Sequence, residues 1–227
     1  MVVPHRIKSL NRSRAFFIPA DTPSRSIKKQ LEKSAKKKQN LVFSHIFHLK
    51  TSVVFLGGVG APAAVLALEP LVLSGIREII VLGFCGGLTE KTNLFDVFLI
   101  NTAFSEEGTS SFYFVDKNEF ASSKKLNKEI EQKIRSNHII PKKASVVSTD
   151  APYRETQKWI DLQQKKGVEL VDMEASAVFA LAEYHEVEAA AVMVVSDVIK
   201  ADSHHVGFNK AKFRRIIKQT FFPFFYE

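Results

Sequence analysis

The chain has 227 residues, 45% hydrophobic and 25% charged, with 32 Lys and Arg against 24 Asp and Glu and a single cysteine. That apolar fraction excludes wholesale disorder, no apolar run reaches the roughly eighteen residues of a spanning helix, and one Cys cannot close an internal disulfide. The expected compartment is a reducing cytoplasm, and the charged N-terminus, without an apolar run, argues against a secretory signal. The surplus of eight positive charges leaves nucleic acid, a small anion or a solvated surface open.

In chain order, the first predicted element is a basic amphipathic helix. Arg25, Lys28, Lys29, Lys33 and Lys36 to Lys38 surround Ile27, Leu31 and Ala35 at helical spacing, with Thr22 as N-cap and Pro23 in the first turn. Its charged face is either an anion contact or a solvated surface. Without zinc spacing, an aromatic RNA-binding signature or a helix-turn-helix rhythm, nucleic acid is not an expected partner, nor is a membrane. Residues 51–56 predict a buried strand leading into four residues, 57–60, three of them glycine. A helix follows over 61–74, with Pro70 expected to kink it and Gly75 to stop it. Residues 78–82 predict a strand ending in a second glycine turn at 83–87, and 97–101 a third strand. Further helices are expected over 124–136, 155–166, 174–185 and 208–225, the last broken near Pro223. Strands are expected at 145–148, 168–172 and 189–195. Continuous apolar strands alternating with helices predict one α/β domain over 1–227, its central mixed, largely parallel sheet flanked by helices. Residues 1–50 are the least regular part.

Gly58-Val59-Gly60-Ala61-Pro62-Ala63 matches a dinucleotide fingerprint, but that motif needs an acidic residue at the far end of the second strand, and Glu78 stands at its start. A nicotinamide enzyme is therefore not expected. The two glycine turns are instead expected to form one anion cradle, although tight turns without a ligand would leave the same pattern. Carboxylates gather at three successive strand ends. These are the stretch 148–155, Val171-Asp172-Met173-Glu174-Ala175 and Val195-Ser196-Asp197. Singly, Asp197 could be a helix N-cap and Glu174 a first-turn partner of the helix dipole; together they point to a pocket. Asp197, just past the most apolar strand, is expected to be partly desolvated and suited to proton donation. Cys85 reads as a buried thiol. Asp202, His204 and His205 give no second ligand set, so no metal is expected.

These stretches, with residues 58–63, Gly83-Phe84-Cys85-Gly86-Gly87-Leu88 and Glu107-Gly108-Thr109-Ser110, resemble the nucleoside phosphorylase family. That family includes the hexameric purine nucleoside phosphorylases, the uridine phosphorylases and the methylthioadenosine nucleosidases. The likeness runs in order from about residue 50 to about residue 200. It implies a pentosyltransferase that cleaves the N-glycosidic bond of a purine or uridine-type nucleoside with phosphate, releasing free base and ribose 1-phosphate. Nucleoside and phosphate are the implied partners, and no cofactor is implied. Carried over, Glu174 binds the ribose hydroxyls, Met173 packs on the sugar, and Asp197 protonates a purine leaving group with Ser196 beside it. Tyr153 and Arg154 fall in the base-recognition stretch. His5 resembles a histidine reaching a neighbouring subunit's sugar site, which implies a homo-oligomer built from dimers, a hexamer among the options. The apolar tail 221–226 would then fold back on the core or, as that shared site favours, cover a subunit interface.

Phosphate would fall to Gly58, Gly60, Gly86, Thr109 and Arg25, but here the sequence departs from the family. Its G-D-P-x-R becomes Ala20-Asp21-Thr22-Pro23-Ser24-Arg25, its second phosphate arginine is Val81, and its hydroxyl residue is Phe84. Loss of a guanidinium removes a bidentate clamp, for which Arg25 and one of Lys36 to Lys38 are the expected compensation. A nucleosidase using water, or a non-catalytic nucleoside-binding protein with a degraded phosphate site, are the alternatives.

Overall fold

Alternation along three central strands sets the layers. In β1 (Arg14–Ile18) and β4 (Ser52–Leu56), and in β5 (Glu78–Gly87), successive apolar side chains face opposite sides of one sheet. The computed structural model describes residues 12–41, 44–200 and 203–226. Around those strands the chain forms α1 (Ser26–Ser34), β2 (Lys37–Asn40), β3 (His45–His48), α2 (Ala61–Leu73), β6 (Val97–Glu106), β7 (Glu119–Ala121) and α3 (Lys124–Arg135). It continues through β8 (Lys142–Thr149), α4 (Gln157–Lys165), β9 (Leu170–Asp172), α5 (Ala175–Tyr184), β10 (Glu188–Lys200), β11 (Ser203–Val206) and α6 (Ala211–Phe221).

The ladders β1–β4, β1–β5, β5–β10 and β6–β8 are parallel, while the hairpins β2–β3 and β10–β11 are antiparallel, giving the mixed sheet expected. β5 pairs with β10 along its length and with β9 at Gly86 and Gly87, while β10 pairs with β6, β6 with β8, and β8 with β9. Five strands thus close into a ring, and the polar strand ends converge at one rim.

Phe17, Val53, Phe55, Ile79 and Val81 face α2 and α5, where Ala64, Leu68, Val178 and Phe179 meet them. Phe16, Ile18, Val54, Ile80 and Leu82 face α1, α3 and α6, meeting Ile27, Leu31, Ile130, Phe213 and Ile217. Each such side chain contributes about 1.5–3 kcal/mol by leaving water. The aromatic tail joins this second face. Phe224 and Phe225 are buried in a 3-10 turn, Phe224 with its ring centroid 5.5 Å from that of Phe16. The choice between core and interface is therefore settled for the core.

Several predicted boundaries change. The basic helix stops at Ser34, and Lys37 and Lys38 belong to the edge strand β2. Its N-terminus is held by Asp21, whose carboxylate accepts from the backbone N–H groups of Ile27 and Lys28, as well as by Thr22. Residues 83–87 are no turn, because β5 runs straight through them. Gly86 and Gly87 serve close approach. A Cβ at Gly86 would lie 2.9 Å from Val171 Cγ1, and one at Gly87 2.5 Å from Thr92 Cγ2. Residues 57–60 are the true turn, with Gly57, Gly58 and Gly60 at φ of 112°, 98° and 93°, backbone that suits glycine. Pro70 lies within α2, which runs unbroken to Leu73.

Candidate active site

The rim of the closed ring opens into one cavity of about 450 Å³, within the size range of small-molecule sites. Its lining includes Met173, Glu174, Asp172, Ser196, Asp197 and Gly86.

Glu174 stands between β9 and α5, in the N-cap position, with its side chain buried. Its carboxylate accepts the Gly60 N–H at 2.6 Å, so the left-handed turn after β4 is bound to the start of α5. Asp172, two residues earlier, accepts from the Ser148 hydroxyl at 2.5 Å and from the backbone N–H of Ala175 at 2.8 Å. The Ser148 oxygen accepts in turn from Ser176 N–H. Burial pushes both carboxyls above their usual range, and for Glu174 the negative charge of Asp172 adds to that rise. With the Glu174 N–H at 3.3 Å as a third donor to Asp172, against the Gly60 N–H for Glu174, Asp172 is the member of the pair that better carries the charge.

Asp197 owes its position to a β-bulge. The ladder between β5 and β10 slips between Val195 and Asp197, leaving Ser196 as the extra residue. The bulge turns the Ser196 hydroxyl toward Asp197 Oδ1 at 2.6 Å, within reach also of the Cys85 carbonyl at 3.2 Å. Gly86 lies opposite Asp197, and a Cβ there would approach Asp197 Oδ2 at 3.4 Å. Asp197 is therefore not at a strand end as expected. β10 continues to Lys200 and returns as β11, whose His204 places Nε2 2.8 Å from Asp197 Oδ2. Its surroundings are correspondingly polar rather than apolar.

Other expected site residues separate here. Tyr153 lines the cavity with its side chain fully exposed. Arg154, Arg25, Thr109 and Gly58 are not among the lining residues, and Gly60 contributes only the N–H already held by Glu174. His5 and Asp202 lie outside the described residues. Arg25 and Lys36 to Lys38 are exposed away from the lining, and Lys38 pairs with Glu32 at 2.8 Å. The expected replacement clamp is thus not formed by these cations within the described chain. Val81 is core, and Phe84 joins an aromatic cluster with Phe208, Phe213 and Phe221 at centroid distances of 5.4–5.9 Å. The 107–110 stretch is also turned inward. Glu107 accepts from Thr109 N–H, Ser110 N–H and the hydroxyls of Ser105, Ser110 and Ser176. Burial would raise this carboxyl, but those donors outweigh it and hold it below its usual range. Cys85 is buried and its thiol pushed up, as expected of a structural thiol. No group of three or more His, Cys, Asp or Glu able to hold a metal occurs among the described residues.

Two further polar residues line the cavity, Glu155, the last residue of the 148–155 stretch, just beyond a 3-10 turn, and His204 on β11, to which the sequence assigns no role. The usable signal for His204 was its spacing from Asp197, which suits a tight hairpin.

A family profile described as the phosphorylase superfamily matches residues 11–221, and the chain belongs to that superfamily. Among curated relatives, it is 30% identical over 142 residues to the guanosine phosphorylase of Halorubrum lacusprofundi, covering 61% of this chain and 57% of that one. It is 28% identical to the DeoD-type purine nucleoside phosphorylase 1 of Shewanella oneidensis, over 65% of this chain and 63% of the relative. The alignments thus span about three fifths of these relatives' lengths. The fold is that of the Toxoplasma gondii purine nucleoside phosphorylase solved with immucillin-H, with a TM-score of 0.79 at 19% identity, covering 95% of this chain and 89% of that one. No helix among the described residues is long and apolar enough to cross a membrane.

Proposed function

We propose that this chain binds a purine nucleoside and cleaves its N-glycosidic bond with phosphate as acceptor, releasing free base and ribose 1-phosphate. The observation that carries this reading is the convergence on one cavity of Glu174, from the junction of β9 and α5, and Asp197, from the bulge within β10. The two phosphorylase relatives support it. Glu174 takes the ribose hydroxyls, with Met173 against the sugar. Asp197, given a proton through His204 once the nucleoside is bound, passes it to N7 of the base as the C1′–N9 bond breaks and its electron pair withdraws into the ring. A phosphate oxygen then bonds to C1′, where oxocarbenium character develops and nearby carboxylate charge stabilises it. Ser196 and His204 fix the Asp197 carboxyl, and His204 is the group through which its proton is restored.

A second reading, with water as acceptor, is favoured by one specific observation. The cavity lining among the described residues includes no Lys or Arg, and backbone donors at 60 and 109–110 already serve internal carboxylates. Purified protein given inosine, guanosine, adenosine and uridine, with and without phosphate, decides between them. Base released only with phosphate supports phosphorolysis; release at an equal rate without phosphate moves the assignment to hydrolysis. Binding without release overturns both in favour of a nucleoside-binding protein. A subunit stoichiometry by light scattering tests the accompanying proposal of a dimer-based homo-oligomer.

A further inference from the structure

Glu155 has no part in that chemistry, yet it lines the same cavity as Asp197 and His204. It follows the 3-10 turn at Pro152–Arg154, whose last backbone bond brings Glu155 N–H back to the Pro152 carbonyl. That turn sets Glu155 near Asp197, the residue to which the proposed function gives the base. The carboxylate is part-buried, and among the described residues it receives no hydrogen bond and no ion pair. Asp197 faces it with like charge, and His204 is the opposing influence. An ionisable group so placed offers the cavity two acceptor oxygens that no protein donor occupies among the described residues.

We propose that Glu155 sets base specificity, its two carboxylate oxygens accepting from the adjacent N1–H and exocyclic N–H of a 2-amino-6-oxopurine base. This rests on the purine-nucleoside reading above. Two parallel N–H donors match a carboxylate in the way that a guanidinium does. A 6-amino purine presents a donor beside an acceptor, and uracil a donor flanked by two acceptors, so each leaves one oxygen facing a lone pair. Hypoxanthine keeps N1–H but lacks the second donor. Burial, and then the charge of Asp197, push the Glu155 carboxyl up to about 7, the strain that two incoming donors relieve. A role for Glu155 in activating an attacking water is less consistent with its place. It stands beside Asp197, whereas an acceptor approaches C1′ from the face away from the base.

The test uses non-cleavable probes, 9-methylguanine and 9-methylhypoxanthine, titrated calorimetrically into the intact protein. The wild type is expected to bind the guanine probe about tenfold or more tightly than the hypoxanthine probe, the gap that an unpaired polar partner produces. In Glu155→Gln that preference should shrink to within about threefold, with affinity for the hypoxanthine probe little changed. Glu155→Asp, which keeps the charge, should retain part of the preference, and an unchanged circular dichroism spectrum guards against misfolding in either variant. A preference that survives Glu155→Gln, or no preference in the wild type, overturns the Glu155 assignment and leaves the purine reading standing. Failure of both probes to bind overturns the purine reading itself.

Discussion

The wall of the cavity around Glu174 and the stretches where the resemblance places phosphate are built from the same kind of material, short turns and helix starts rich in backbone N–H groups, yet those donors are used differently. At the sugar end Asp172 is tied to Ser148 and the start of α5, which leaves Glu174 at the cavity wall with one internal donor. In the stretches where the resemblance places phosphate, the donors are already engaged. Asp21 occupies the N-terminus of α1, Glu107 gathers Thr109 and Ser110, and Phe84 has turned into an aromatic cluster. A helix start or glycine turn supplies an anion site only while its N–H groups lack an internal acceptor. Sequence shows where such donors stand. It does not show which carboxylate has reached them first.

The largest effects should fall on the polar end. Asp197→Asn keeps the shape but cannot deliver a proton, so kcat/KM for purine nucleosides should drop by about 10²–10⁴. Glu174→Gln should cost about 10²–10³ in kcat, while thermal stability holds or rises because a buried ionisable pair is relieved. Activity within threefold of wild type in either variant would break the comparison, since the retained end would then be as idle as the altered one. Gly86→Ala probes the packing that joins them. Its Cβ meets Val171 at 2.9 Å, so strand β5 or β9 must move. A loss of about 1–3 kcal/mol in unfolding free energy, read by denaturant titration, is expected from such overpacking. An unchanged midpoint would show that the ring closes loosely.

Much of this was legible beforehand, and what was missed has a physical cause. The buried parallel strands announced themselves as continuous apolar runs, and Glu174 and Asp197 stood out as carboxylates following them, whereas Met173 was marked only by the resemblance. Residues 83–87 misled because glycine signals a turn or a close approach equally well; only the crossing of β9 over Gly86 selects the second. The edge strand β2, Lys37-Lys38-Gln39-Asn40, is short, exposed and without apolar periodicity, so its lysines read as the end of a helix. The bulge at Ser196 and the return of β11 depend on register, which single-strand patterns do not encode. Glu155 looked like the first residue of a helix. Its lack of a partner becomes visible only when its neighbours are placed.

In the stretches where the resemblance places phosphate, the effects should be smaller. Phe84→Ser restores a hydroxyl donor at the position where the resemblance places one, and one added hydrogen bond is worth about 1 kcal/mol, or roughly fivefold in KM for phosphate. Against this stands the loss of aromatic packing with Phe208, Phe213 and Phe221, about 3–5 kcal/mol of stability. A lower stability with a lower phosphate KM sharpens the contrast between the two ends; a lower stability with phosphate kinetics unchanged would mean that phosphate does not reach this position.

The smallest effect concerns the base end and is read as stability against pH. Glu155 rises from 4.5 to about 7 on folding, so between those values the folded chain keeps a proton that the unfolded chain has released. Binding more protons in the folded state makes stability fall as pH rises through that window, and the loss is complete only above about pH 7. Glu174 and Asp172, also raised, act in the same sense, whereas Glu78, Glu106 and Glu107, all lowered, act in the opposite one. The whole-protein profile therefore mixes both signs, and only a difference between two chains isolates Glu155. In Glu155→Gln the melting temperature should drop less between about pH 5 and about pH 8 than it does in wild type. Saturation with 9-methylguanine should have the same effect on the wild type, because donors bound to the carboxylate favour its charged form. Parallel profiles for the two proteins would mean that Glu155 titrates alike in the folded and unfolded chain, and the base end would then carry no stored electrostatic strain.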